Sequence, residues 1–195
     1  MKKCFMLFAM SLCSLVTFAQ GFDYGVTAGL NISKPKDYKN HYGFNLGAKG
    51  EYLFSDNMNT FYMESALLFS DKGWEDDVYI DASENNKFAT YRYDTYYLEV
   101  PLMAGYKFGV SDKVCASVSA GPYAGIKLFE NSDWGDFEYK TFDYGLKVYV
   151  GADFSHWQIG VSYNHSMQDP IKHFALTNPK DRTLSLQVSY IINRF

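Results

Sequence analysis

Phe142-Asp143-Tyr144-Gly145-Leu146-Lys147-Val148-Tyr149-Val150-Gly151-Ala152-Asp153-Phe154 alternates between two chemistries along its whole length. Phe142, Tyr144, Leu146, Val148, Val150, Ala152 and Phe154 share one parity; Asp143, Lys147 and Asp153 share the other. A period of two marks a strand with unlike faces. One face here carries no charge, and the other carries three. Such a strand lies between an apolar and a charged environment.

The same alternation recurs on both sides. Phe22, Tyr24, Val26, Ala28 and Leu30 stand against Asp23, Thr27 and Asn31. Tyr42, Phe44, Leu46, Ala48, Tyr52 and Phe54 oppose Asn45, Lys49 and Glu51. A weaker segment sets Phe61, Met63, Leu67 and Phe69 against Tyr62, Glu64 and Ser70. Leu98, Val100, Leu102, Ala104, Tyr106 and Phe108 face away from Tyr97, Glu99 and Lys107, and Val114 to Ile126 alternate with Ser117, Ser119, Tyr123 and Lys127. Trp157–Asn164 and Thr183–Ile192 complete the set.

Connection lengths sort by end. Short turns are expected at Ser55–Asn59, Gly109–Asp112 and Ser155, and longer polar loops after the first, third, fifth and seventh segments. The longest is expected from Asp71 to about Asp94. Segments of about 9–11 residues, short inner turns and long outer loops are what a tilted barrel in a bilayer requires. The reading is an all-β, eight-stranded antiparallel up-and-down transmembrane β-barrel. Aromatic residues make up 18% of the chain and gather at segment ends, as interfacial girdles do. Net charge is −4, which gives no basic face for nucleic acid. No later stretch is apolar for long enough to form a spanning helix.

Pro101 and Pro122 interrupt two of the strands. A closed sheet has no edge to absorb a missing N–H, so a local bulge is expected where the two prolines come to nearly the same height.

The N-terminus reads as a secretory signal: Met1-Lys2-Lys3, an apolar run from Cys4 to Phe18, and small residues Thr17 and Ala19. Cleavage is expected between Ala19 and Gln20, giving a signal over 1–19 and one barrel domain over 20–195. Cys4 and Cys13 leave with the signal, and Cys115 remains without an intramolecular partner.

The string Tyr97-Leu98-Glu99-Val100-Pro101-Leu102, with Gly121-Pro122-Tyr123, Ser70, Lys72, Gly73 and the glycine-spaced Asp143–Gly151, resembles the PorT-like outer-membrane β-barrel ("porin family") proteins of Gram-negative bacteria. The resemblance spans the mature chain. It implies an outer-membrane location, and it implies both in-strand prolines as shared features. It does not imply one activity. The ending Ile192-Asn193-Arg194-Phe195 is similar to the C-terminal strands read by barrel-assembly machinery, with Phe195 as the signal.

Eight strands enclose an interior that side chains fill. Lys49, Glu51, Glu64, Glu99, Lys107, Lys127, Asp143, Lys147 and Asp153 all carry inward parity and are expected to pair across it, Lys49 near Glu64 and Lys127 near Asp143. A packed polar lumen points to a structural or interaction role. The expected partners are outer-membrane lipids and the assembly machinery, with any extracellular ligand met by the loops and no cofactor, metal or catalytic residue required. Two alternatives compete. His165-Ser166 suggests a lipid-modifying enzyme, and inverting the faces gives a secreted soluble barrel with an apolar cavity. Acidic loop residues such as Asp76, Asp77, Asp133 and Asp136 have no EF-hand spacing and read as solvated charge.

Overall fold

The computed structural model describes residues 21–33, 39–81, 87–132, 141–168 and 181–194. The expected cleavage site at Ala19 and Gln20 and the terminal Phe195 lie outside the described residues. Eight strands run in order β1 (Phe22–Ser33), β2 (His41–Leu53), β3 (Thr60–Asp81), β4 (Lys87–Ser111), β5 (Val114–Ser132), β6 (Phe142–Phe154), β7 (Trp157–Ser166) and β8 (Arg182–Ile191). Every neighbour is antiparallel, and β1 pairs with β8 from Gly25↔Ile191 to Ser33↔Thr183. The barrel closes.

Parity decides direction. In β6, β7 and β8 burial alternates almost residue by residue, with the polar set buried and the apolar set exposed. Val148, Leu186 and Leu30 are open to the outside, whereas Lys147, Gln158 and Asn31 are buried. This polarity removes the soluble-barrel alternative, because the apolar side chains form the outer surface rather than a cavity. Rings collect at both heights. Phe69 stacks on Tyr96 at 5.6 Å and Tyr96 meets Phe129 at 4.6 Å near the outer end. Phe61 meets Tyr106 at 4.8 Å and Trp157 meets Tyr190 at 5.0 Å near the inner end.

The inner turns are short. β4 and β5 are joined through Asp112 and Lys113, and β6 and β7 through Ser155 and His156, with Ser155 in the left-handed region at φ 53°. The long loop expected from Asp71 to Asp94 is instead a hairpin arm. β3 and β4 continue their ladder outward from Asp71↔Tyr96 to Asp81↔Lys87. Charged residues such as Asp71, Lys72, Glu75, Asp76 and Asp77 hid this extension, because they break the apolar alternation that marks the other strands.

The proline expectation is also corrected. Register runs unchanged from Pro101↔Tyr123 to Ala104↔Ala120, with no bulge between them. The ladder simply lapses: β3–β4 pairing skips from Ser65↔Leu102 to Leu68↔Glu99. Ser65 Oγ donates to the Pro101 carbonyl at 2.8 Å, so a side chain bridges part of the gap. The β4–β5 register shifts instead at two other places: at Gly109/Ser111, where β4 carries the extra Val110 beside the inner turn, and higher, at Tyr96/Tyr97, where β5 inserts Leu128 between the partners Lys127 and Phe129. A bulge inverts parity beyond it. Leu128 and Phe129 are accordingly both exposed, at 48% and 53%.

Candidate functional site: the charged lumen

The inward-facing side chains form two clusters. At the inner end Lys107 Nζ reaches Glu51 Oε2 and Asp153 Oδ2, each at 2.6 Å. Lys49 Nζ lies 2.9 Å from Glu51 and 3.1 Å from Glu64. Gln158 donates to Glu51 at 2.8 Å and to Asp153 at 3.0 Å, and Ser119 donates to Glu64 at 2.7 Å. Arg194 closes the inner rim with Asp23 at 2.9 Å. Toward the outer end Lys72 contacts Glu99 and lies 3.0 Å from Asp143. Tyr123 and Ser166 donate to Asp143 at 3.2 and 2.6 Å.

Tyrosine rings pack between these clusters. Lys107 lies 5.0 Å from the Tyr62 centroid, Lys72 4.9 Å from Tyr123, and Lys49 5.8 Å from Tyr149. Each ring supplies a negative face to an ammonium that already holds carboxylates. The Tyr149 ring needs room, and Gly151 and Gly160 supply it. A Cβ at either position would come within 2.6 Å of the phenol.

Desolvating an ion is expensive, so buried charges must be paired and hydrogen-bonded. Lys49, Lys72 and Lys107 meet that condition. Lys147 is buried, and among the described residues it has no ion pair or hydrogen bond. It lines a cavity of about 30 Å³ beside Lys49, Glu64 and Gln187. That is room for roughly one or two waters. At this height the lumen is filled, whereas beyond Lys107 and Asp153 it opens into an inner mouth of about 1000 Å³ that Asp23, Thr60 and Arg194 also line.

Eight of the nine residues expected inside are in this network or border it. The exception is Lys127, which is not fully buried and pairs with Glu130 at 2.7 Å, while Asp143 is held by Lys72. The Leu128 bulge explains the change: it turns Glu130 to the side Lys127 occupies, which an unbroken strand would not do. Lys72 and Arg194 are not among the expected lumen residues, whereas Gln158 carries the expected inward parity of β7 but no expected partner. The parity Leu68, Ser70, Lys72 would have revealed the first, had strand three been carried past Ser70.

Asp181 leads into β8 from outside the strand. Its Oδ1 is buried and has no hydrogen-bond partner among the described residues. Burial pushes this carboxyl up to about 6, against the pull of Lys72. A carboxyl raised in the folded state contributes stability below its unfolded value, and that contribution is lost as pH rises through 6. Asp181→Asn should therefore stabilise the barrel relative to the parent by up to about 3 kcal/mol above pH 7, with little difference near pH 4. Urea unfolding across that range checks it; a difference that does not grow with pH removes Asp181 as the cause.

His165 and Ser166 point to opposite sides. Ser166 Oγ donates into the lumen onto Asp143, whereas His165 stacks on the outward Tyr163 at 6.5 Å. As neighbours on one strand they do not form a nucleophile and base. Cys115 is free and partly buried.

A search of curated proteins found no match. Among solved structures, Neisserial surface protein A aligns with TM-score 0.51 and 17% identity, over 89% of this chain and 98% of that one. Ail, the attachment invasion locus protein of Yersinia pestis, aligns with TM-score 0.44 and 18% identity, over 88% and 97%. The outer membrane enzyme PagL aligns with TM-score 0.47 and 13% identity, over 86% and 99%. A family model described as an outer membrane protein beta-barrel domain matches residues 18–172, and the chain belongs to that family of outer-membrane barrels.

Proposed function

We propose that this barrel serves as a structural and interaction element of the outer membrane, closed to diffusion, with recognition confined to its outer loops and the β3–β4 arm. The observation that carries the reading is the filled lumen. Lysines, carboxylates and tyrosines from the strands interlock across the axis, and the void beside Lys147 is about 30 Å³. A hydrated ion path needs continuous water; the interlocked side chains between the inner mouth and the outer end support a closed barrel instead. Membership of the PorT-like group, removal of residues 1–19, and delivery through the barrel-assembly machinery by way of Phe195 belong to the same proposal. They rest on the Leu98-Glu99-Val100-Pro101-Leu102 string, the apolar leader and the terminal aromatic.

Catalysis finds less support, because the His165–Ser166 pairing is split across the barrel wall. The purified barrel in a planar bilayer should show no steady conductance steps at moderate voltage. Stable porin-like steps from the folded, heat-modifiable species would overturn the closed-lumen reading. Partners that co-purify from native membranes, and are lost when residues 76–92 are replaced by a short turn, would locate recognition on the arm.

A further inference from the structure

His41 opens β2, Asp71 lies in β3 and Asp94 in β4, and the three side chains meet near the outer end of the barrel. The His41 side chain is fully buried. Its Nε2 lies 3.5 Å from Asp71 Oδ1, and its Nδ1 lies 3.6 Å from Asp94 Oδ1. Among the described residues neither ring nitrogen has a hydrogen-bond partner, and Asp71 Oδ1 has none either. Buried polar atoms are almost always satisfied, so three orphans in one cluster, both nitrogens of the His41 ring and the Asp71 oxygen beside Nε2, need an explanation.

The distances supply one. An N–H···O bond spans about 2.7–3.2 Å, and these separations exceed it. A nitrogen and an oxygen that share a tetrahedral zinc-sized ion, each at about 2.0–2.2 Å from it, lie about 3.4 Å apart. The His41 Nε2–Asp71 Oδ1 spacing of 3.5 Å is close to that value, and Nε2 is the ring nitrogen a single ion would take, so Asp94 must reach the ion from beside the ring rather than through Nδ1. One ligand atom from each of the three residues lies within 4.8 Å of the others. Asp94 is the adjustable member, with its side chain 16% exposed and its Oδ1 accepting from Arg92 Nε at 2.8 Å.

The frame is rigid. Asn31 donates to the Asp71 carbonyl at 3.0 Å, and Gly43 lets that carbonyl approach so closely that a Cβ there would lie 2.4 Å away. The β3–β4 ladder fixes Asp71 against Tyr96 and Asp94 against Gly73.

We propose that His41, Asp71 and Asp94 form a binding site for one divalent transition-metal ion of the zinc class, fastening β2 to the β3–β4 arm. One imidazole with two carboxylates suits a borderline ion, whereas calcium and magnesium favour all-oxygen sets. Three protein ligands leave a position for water or an anionic group. The site is separate from the lumen clusters and independent of the closed-lumen reading.

Calorimetric titration of the folded full-length barrel in detergent, free of any histidine tag, with Zn²⁺ tests this. One Zn²⁺ per chain is expected. His41→Ala and Asp71→Asn should each weaken it by at least about a hundredfold, since loss of an outer-shell partner alone costs ten- to a hundredfold. His165→Ala should leave it unchanged. Heat-modifiable gel mobility reports folding. If His41→Ala does not fold, His41→Gln and Asp94→Asn carry the test, together with the visible spectrum of bound Co²⁺ in the parent. Absence of Zn²⁺ binding in the parent overturns the proposal. So does binding that His41 and Asp94 substitutions leave intact, or a site that prefers Ca²⁺ or Mg²⁺. A His41 that titrates between the two carboxylates while Zn²⁺ has no effect would identify an imidazolium clasp, and would also overturn the metal site.

Discussion

Lys107→Met should destabilise the folded barrel by about 3–5 kcal/mol, the range for removing one partner of a buried ion group. Lys107 Nζ holds Glu51 and Asp153 at 2.6 Å each while lying over the Tyr62 ring. Methionine replaces most of the stem but no charge, so two buried carboxylates lose their shared cation. The two are not equally stranded. Glu51 keeps Lys49 at 2.9 Å, whereas Asp153 keeps Gln158 and Ser117 as donors and Arg194 at the longer 3.7 Å. Asp153→Asn added to Lys107→Met should therefore restore more stability than Glu51→Gln does. Urea unfolding in lipid vesicles, followed by tryptophan fluorescence and gel mobility, reads both steps. Equal rescue by the two amides would show that the charges are shared evenly rather than through Lys107.

Val148→Arg should cost about 2–4 kcal/mol, and Ile192→Arg no more than about 1. Val148 stands at the middle of β6 with 47% of its surface open, and Ile192 lies just beyond the inner end of β8 with 52% open. Their exposure is similar, so any difference comes from depth in the hydrocarbon rather than from burial. Unfolding midpoints in vesicles compare them directly. A neutral Val148→Arg would mean that water, not lipid, meets this face, and the outer-membrane reading would fall with it. The same substitution in a water-soluble barrel would be harmless or beneficial, which is why the experiment discriminates.

Much of this architecture was legible because parity is local. Whether Val148 and Lys147 share a face depends only on their being neighbours in an extended chain, and no distant residue can change that. The strand count, the polarity of the two faces and the inner turns followed from such local facts. The β3–β4 arm was not legible, since a hairpin in water needs no apolar stripe to announce it. The prolines misled for a related reason. A missing N–H can be met by an inserted residue or by a lapse in pairing, and the choice belongs to the neighbours, among them the Ser65 hydroxyl on the Pro101 carbonyl.

The amino-acid order alone determined that charged side chains would crowd an interior and that apolar ones would meet the bilayer. Only the closed barrel decided which charge meets which. Lys107 on β4 joins Glu51 on β2 and Asp153 on β6, and Lys72 on β3 joins Asp143 on β6, partners that share no ladder. Those meetings depend on strand tilt, on register summed around the ring and on one extra residue at Leu128, quantities that exist only once the sheet has closed on itself.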